Sequence, residues 1–462
     1  MAELFKHAFH STILREYDIR GIIDETLFQN DAYAIGRAFA GFMLEAGDNQ
    51  VCVGFDGRAS SPVLEEALVK GLTEGGVDVI RVGMGPTPML YYSTYKLETR
   101  NGIMITGSHN PPSHNGFKMI LAGKPFFGKD IQKMGSAASE GLPAAKTGSV
   151  SDHPMLEEYV ARVLEDYVYP SEFTVVWDCG NGVTGEALRK VVSKLPGRHI
   201  LLFDEIDSNF PNHHPDPTVE ENLQDLIRTV KGLDADLGIA FDGDGDRIGA
   251  VDSRGNIIWG DQLLAILSRE ILEKTPGAAI IADVKASKLL FDEIENLGGT
   301  PVMWKTGHSL IKTKMAEVSS PLAGEMSGHI FYNDHFYGYD DAIYVGIRLL
   351  NLLGNCENTL DEMLDNLPVA INTPEIRFPC ADEEKFQAVE TMQAQLKAAG
   401  ADFSTVDGVR VNFEGGWWLL RASNTQAVLV ARCEAPDEAR LEKVKASLKS
   451  NLEQAGIDCP EF

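Results

Sequence analysis

The stretch Leu237-Gly-Ile-Ala-Phe-Asp-Gly-Asp-Gly-Asp-Arg247 runs from a short apolar segment straight into three aspartates separated by glycines. A brief apolar run closed by a Gly-rich polar loop reads as a buried strand with a site at its carboxyl end. The same rhythm recurs on either side. Upstream, Phe173-Thr-Val-Val-Trp177 leads into Asp178-Cys-Gly-Asn-Gly182, and between the two runs Leu223, Leu226, Ile227 and Val230 mark one apolar helix face. Nearer the N-terminus, residues 51–56, 77–82 and 102–105 read as short strands alternating with helical stretches such as 61–74. Downstream, residues 279–282 precede Asp283-Val-Lys285, and Val302-Met-Trp304 precedes Lys305-Thr-Gly-His308. Strands and helices alternating at this spacing indicate α/β sandwiches with crossover connections. The tail departs from the rhythm. Residues 402–434 hold consecutive strands with turns at Asp407-Gly408 and Gly415-Gly416, and a helix carrying Leu441, Val444, Leu448 and Leu452 follows, which indicates a small α+β domain. Breaks at 141–150, 253–255 and 368–374 divide the chain into 1–150, 151–255, 256–370 and 371–462.

The 462 residues carry 41 Lys plus Arg against 68 Asp plus Glu, a formal net charge of −27. Such a chain repels phosphate backbones and anionic lipid, so neither nucleic acid nor a membrane surface is an expected partner. The six cysteines (Cys52, Cys179, Cys356, Cys380, Cys433, Cys459) are scattered without a C-x-x-C, as free thiols in a reducing compartment would be. The first twenty residues lack the apolar centre of a secretory signal, and no apolar run approaches the ~18 residues of a membrane span. A soluble, cytoplasmic, multi-domain protein is expected.

Four loops could carry chemistry. Asp242, Asp244 and Asp246 let short carboxylates converge on a hard cation, and oxygen-only ligands favour Mg²⁺ or Ca²⁺ over zinc. An EF-hand needs Gly at its sixth position and Glu at its twelfth, but counted from Asp242 these are Arg247 and Ser253. The alternative, an exposed acidic turn that binds nothing, fits poorly with Arg247 and the apolar run before it. The second loop, Thr106-Gly-Ser-His-Asn-Pro-Pro112, follows an apolar run and holds Ser108 beside His109 on a turn stiffened by two prolines. It reads as a nucleophile without a G-x-S-x-G elbow, as a phosphoryl carrier served by a nearby cation, or as a plain Asx/Pro loop. In Gly324-Glu-Met-Ser-Gly-His329, Glu325 and Ser327 offer hydrogen-bonding groups suited to sugar hydroxyls. Arg421-Ala-Ser-Asn-Thr425 could cradle a phosphate. These last two are equally readable as structural turns when taken alone.

Together, in this order and spacing, the four loops resemble those of the α-D-phosphohexomutases. The likeness extends from Arg15-Glu-Tyr-Asp-Ile-Arg-Gly21 to the C-terminal region and includes Asn209-Phe-Pro-Asn-His-His-Pro-Asp-Pro217 and Trp304-Lys-Thr-Gly-His308. Met326 places the third loop with the branch of the family that handles mannose and glucose phosphates. The resemblance implies three related α/β sandwich domains and a C-terminal α+β domain, like TATA-binding protein, around a central cleft. It implies phosphorylation of Ser108 and one Mg²⁺ per chain held by Asp242, Asp244, Asp246 and the Ser108 phosphate. It places Arg20, Lys118 and Arg247 around the transferring group, and His109 and His329 near the proton transfers. Glu325 and Ser327 would hold sugar hydroxyls, with Tyr17, Lys285, His308 and His329 also lining the substrate site. Arg421, Ser423, Asn424 and Thr425 would take the substrate's phosphate.

The implied activity is reversible phosphoryl transfer between C6 and C1 of mannose and glucose phosphates, with hexose 1,6-bisphosphate as intermediate and activator. Hexose phosphates are the expected partners and a monomer the expected state. Overall acidity does not conflict, because an anionic substrate responds to local cations. Two positions depart from the family pattern: Phe55 replaces an arginine, and Gln426-Ala427 stands where a proline usually ends the phosphate loop, a change expected to loosen it. Two rivals fare worse. An aspartate-nucleophile phosphatase wants Thr or Val where Asp246 stands, and an inactive sugar-phosphate binder would be expected to have lost Ser108 or an aspartate.

Overall fold

The strand Leu237–Phe241 is buried along its whole length, as a central strand covered on both faces must be. The computed structural model to which it belongs describes residues 4–381, 383–424 and 426–458; Thr425 and Cys459 lie outside the described residues. Cys52, Cys179, Cys356 and Cys380 carry free thiols. Among the described residues no helix is long and apolar enough to cross a membrane.

One four-strand unit occurs three times. In the first, Gln50–Phe55 pairs in parallel with both Asp78–Met84 and Gly102–Ile105, and His114–Leu121 returns antiparallel beside the latter. Phe173–Asp178, Gly197–Leu202, Leu237–Phe241 and Ile248–Asp252 repeat this pairing, and so do Ala279–Asp283, Thr300–Trp304, Leu322–Gly324 and Ile330–Tyr332. Helices cross between the parallel strands. Ser61–Glu74, for example, buries Leu64, Ala67, Leu68 and Leu72 on one face and has proline in its first turn, where no intrahelical donor is lost. In each unit the chain reverses direction of travel at the first strand, and ligands gather outside the carboxyl ends of strands at such a switch point. The Ser108 loop, the triple-aspartate loop and the Glu325 loop are all the connection between third and fourth strands of their unit.

The C-terminal sheet is antiparallel, ordered Ile371–Asn372, Val428–Ala435, Gly416–Ala422, Val409–Phe413, Phe403–Ser404, with Ile376–Pro379 also on Val428–Ala435. Leu441, Val444, Leu448 and Leu452 all face its core from the helix Glu438–Gln454. The sequence reading differs at two places. The turn is Glu414-Gly415, both at positive φ, so Gly416 already opens the next strand. A further helix, Lys385–Ala398, packs on the sheet through Val389, Met392 and Leu396, too sparse an apolar set to stand out. One apolar core runs through the three α/β units beside cores confined to each of them, and the C-terminal domain has its own. The two meet at Val284, Trp417 and Leu419, and Arg410 donates to the carbonyls of Val284 (2.6 Å) and Ala286 (2.8 Å) while lying over Trp417.

Asp341 caps the helix Ala342–Gly354, accepting from the Tyr344 N–H and the Tyr159 hydroxyl at 2.9 Å each. Burial pushes its carboxyl up to about 7. The folded value lies above the unfolded one of about 3.9, so its stabilising contribution is full below pH ~4 and is lost as pH rises through 7. Asp341→Asn keeps an acceptor without the charge. It is expected to melt several degrees above the parent at pH 8, at about 2–4 °C per kcal/mol, and level with it near pH 4. Scanning calorimetry at the two pH values checks this, and a lower melting point at pH 8 would contradict it.

Candidate active site

The three loop ends and the C-terminal sheet enclose a cleft of about 1300 Å³. Small-molecule sites run to roughly 300–1000 Å³, so this cleft is roomier than a small ligand fills. Tyr17, Arg20, Ser108, His109, Lys118 and Arg247 line it, together with Lys285, His308, Glu325, Ser327 and His329 and with Arg421, Ser423 and Asn424 of the C-terminal domain. The three aspartates lie fully buried beneath the Ser108 loop.

Strand geometry explains the cations. Arg20 sits opposite Gly116 in an antiparallel pair, and Lys118 is two residues along the same strand, so both side chains leave one face of the sheet. Both are buried, against the usual fate of isolated cations. Lys118 Nζ donates to Asp244 at 2.7 Å and also to Asp246. Arg20 donates to the Thr106 carbonyl at 2.5 Å and to Asp18 at 2.9 Å.

The triple-aspartate loop folds around its own first carboxylate. Asp242 Oδ1 accepts from the N–H groups of Gly245, Asp246 and Arg247 at 3.0–3.2 Å, and Oδ2 accepts from Ser108 Oγ at 3.1 Å. Gly243 permits the close approach of the two loops, since a Cβ there would lie 2.3 Å from the Ser108 carbonyl oxygen. Burial and the two neighbouring aspartates hold the Asp242 carboxyl well above its usual range. Burial acts the same way on Asp244, but Lys118, the Thr87 hydroxyl and Arg20 outweigh it and keep Asp244 ionised far below that range. Burial opposes the Lys118 charge too, and Asp244 and Asp246 reverse the balance and raise it.

The carboxylate oxygens of the three aspartates come within 4.8 Å of one another, and the buried Asp244 Oδ1 and Asp246 Oδ1 have no hydrogen-bond partner. Orphaned buried carboxylate oxygens are costly, and a hard divalent cation is the partner that this all-oxygen set fits.

Ser108 stands at φ 49°, a left-handed conformation that costs a serine of order 1–3 kcal/mol and must be imposed by its surroundings. Its Oγ is 3.1 Å from His109 Nδ1. Burial, then Arg247 and Arg20, push His109 well below its usual value and hold it neutral. Arg247 Nε donates to His329 Nε2 at 3.0 Å, and the His329 ring stacks on His308. Asp340 stands behind both histidines, its carboxylate 2.9 Å from His329 Nδ1 and 3.5 Å from His308 Nδ1, with Lys312 at 2.9 Å. Glu325 is buried, one of its oxygens accepting from the Gly307 N–H at 2.5 Å, while Ser327 is half-buried at the surface of its loop.

At the far end Arg421 Nε donates to Asp407 at 3.0 Å, and the Thr306 N–H donates to the same oxygen at 3.1 Å. The Tyr17 hydroxyl donates to the Thr306 carbonyl at 2.8 Å and accepts from Asn424, so one phenol ties the first, third and fourth domains. Lys285 is paired with Glu375 at 3.0 Å. Burial opposes the Glu375 charge, yet Lys285 and Arg377 bring it down to about 2. The Gln426 N–H donates to Ser423 Oγ at 3.2 Å, and Arg377 and Lys385 bind its two oxygens. Phe55 ends its strand half-buried against the first domain's core. Asp407, Asp340 and Glu375 escaped the sequence reading. Each gains its place only through pairing with a residue distant in the chain, and nothing in their local pattern marks them.

Comparison with known proteins gives the following. Family models described as phosphoglucomutase/phosphomannomutase alpha/beta/alpha domains I, II and III and C-terminal domain match residues 11–141, 157–255, 259–370 and 375–450. A phosphomannomutase/phosphoglucomutase of Pseudomonas putida is 44% identical over 98% of each chain. A phosphoglucomutase of Neisseria gonorrhoeae is 43% identical over 96% of each. The crystal structure of a phosphoglucomutase/phosphomannomutase family protein from Burkholderia thailandensis superposes with a TM-score of 0.92 at 40% identity, covering 98% of this chain and 99% of that one.

Proposed function

Because the chain belongs to the phosphoglucomutase/phosphomannomutase family, we propose that it interconverts the 6-phospho and 1-phospho forms of glucose and mannose through a phosphorylated Ser108. The carrying observation is the meeting of Ser108 Oγ with Asp242 at 3.1 Å, at one end of a cleft whose other end holds Arg421.

In the forward step the bond between phosphorus and Ser108 Oγ breaks as phosphorus bonds to the free O1 or O6 of the sugar. The hydroxyl proton passes to a histidine, the role assigned to His329 on the Arg247 side and to His109 beside Ser108. Arg20, Lys118 and Arg247 hold the transferring group. Asp242, Asp244 and Asp246, with an oxygen of the Ser108 phosphate, are the assigned ligands of one Mg²⁺, which would neutralise charge on that group. The 1,6-bisphosphate then turns over in the cleft, and its other phosphate returns to Ser108. The same bisphosphate reloads a chain that has lost its phosphate.

A turning intermediate needs contacts that serve both orientations. Glu325 and Ser327 are assigned to O3 and O4, which glucose and mannose share, with Tyr17, Lys285, His308 and His329 alongside. Arg421, Ser423, Asn424 and Thr425 are assigned to the phosphate that does not react, since only the arginine there brings a permanent charge with a planar fork. A monomer is the proposed state. Parallel coupled assays on glucose 1-phosphate and mannose 1-phosphate test the reading. Both should turn over, and rejection of one epimer by more than about 10³-fold, the scale of a missing hydrogen bond in a demanding site, would overturn it.

A further inference from the structure

The Ser108 loop is short of internal donors. Pro111 and Pro112 carry no N–H, so carbonyls buried within it cannot all be met by its own backbone. Arg58, from the first strand's loop, meets them. Its Nη2 donates to the carbonyls of Ser108 (2.8 Å) and Asn110 (2.6 Å), and its Nη1 to those of Pro111 (2.7 Å) and His114 (2.9 Å). The guanidinium is itself held: Asp56 lies 3.2 Å from its Nε and also accepts from the Gly107 N–H at 3.0 Å. Phe210, from the Asn209-Phe-Pro-Asn stretch of the second domain, covers its other face with the ring centroid 5.4 Å away. Gly107 completes the fit. A Cβ there would stand 2.1 Å from Arg58 Nε and 2.2 Å from Cζ, although the Gly107 backbone lies outside the positive-φ region and would accept alanine.

We propose that Arg58 is the positioning residue of the Ser108 loop, its fork gathering four loop carbonyls so that Ser108 is held left-handed with its hydroxyl aimed at Asp242 and His109. This rests on the reading of Ser108 as the reacting group. Arg58 does not line the cleft, and it acts through backbone. The fork matters more than the charge, because an ammonium cannot present parallel donors to four fixed oxygens. Gly107 is small to admit that fork.

The experiment is a double-mutant cycle on the full-length protein with glucose 1-phosphate. Arg58→Ala should lower kcat about 100-fold, the cost of a misplaced reacting group, with KM within about threefold because the far phosphate site is untouched. Gly107→Ala should lower kcat in the same way by pushing the guanidinium aside. The double variant should be no worse than Arg58→Ala, since nothing remains for the new Cβ to strike. Losses that multiply, or a kcat for Arg58→Ala within about threefold of the parent, would overturn the proposal. If circular dichroism shows Arg58→Ala unfolded, Arg58→Lys decides: a loss resembling that of Gly107→Ala supports the fork, and full kcat refutes it. Intact mass of the parent protein reports separately on the carrier. A parent that turns over without added bisphosphate while intact mass shows it unphosphorylated ends the phosphoserine reading, while the cycle still settles what Arg58 does.

Discussion

Ser108→Ala is expected to abolish turnover, by about 10³-fold or more, the scale seen when a covalent catalyst loses its nucleophile. The variant removes one oxygen and little else. Alanine occupies the same left-handed backbone at similar cost, and the loop's four carbonyls keep their bonds to Arg58. The melting temperature should therefore stay close to the parent's, which separates lost chemistry from lost fold. Two contacts disappear with the hydroxyl, those to Asp242 and His109 at 3.1 Å each. Adding glucose 1,6-bisphosphate should not restore activity, because no acceptor remains to be loaded. Coupled assays with and without the bisphosphate, beside intact mass, make the measurement, and substantial turnover in this variant would end the carrier mechanism.

Asp244→Asn should cost about 10²–10³-fold in kcat, as expected when charge stabilisation at the transferring group is lost. Asp244 is the most telling of the three aspartates. One of its oxygens is bound by Lys118 and Thr87, and the other is buried without a partner. An amide keeps the size but weakens the site for a cation and loosens Lys118 as well. KM for glucose 1-phosphate should change little, because the residues proposed for the sugar and its far phosphate lie on other loops. Mg²⁺ titration of chelator-treated protein is the check. The parent should recover fully at low Mg²⁺, and the variant should need far more or fail to recover. An unchanged kcat, or full activity in chelator, would contradict the assignment.

Much of the scaffold could be read along the chain because its signals are local. The run ending at Phe241, the strand Gly102–Ile105 and the helix Ser61–Glu74 appear where apolar pattern and glycine punctuation place them. The short loops of the site were legible too, since hard-ligand spacing and proline-stiffened turns are chemical statements about neighbours in sequence. What escaped was the set of partners holding those loops. Asp407 meets Arg421 fourteen positions away and Thr306 about a hundred away, and Asp340 serves two histidines from two different loops. A carboxylate of this kind looks like any surface aspartate until the fold is closed around it. The same holds for Arg20 and Lys118, whose burial follows from a strand pairing that no periodicity announces.

The threefold repetition of one unit bears on how such a site can arise at all. Three identical subunits around an axis would also bring three like edges together at a cleft, but symmetry would force the same loop onto each. A covalent repeat escapes that constraint. The turn between third and fourth strands became a serine loop in one copy, an acidic loop in the next and a polar loop in the third, while the packing that brings them together stayed common to all. They meet through backbone as much as through side chains, with Gly243 against the Ser108 carbonyl and the Ile248 N–H bonded to the Gly328 carbonyl at 3.0 Å. Division of labour among repeated edges thus gives one cleft three unlike walls.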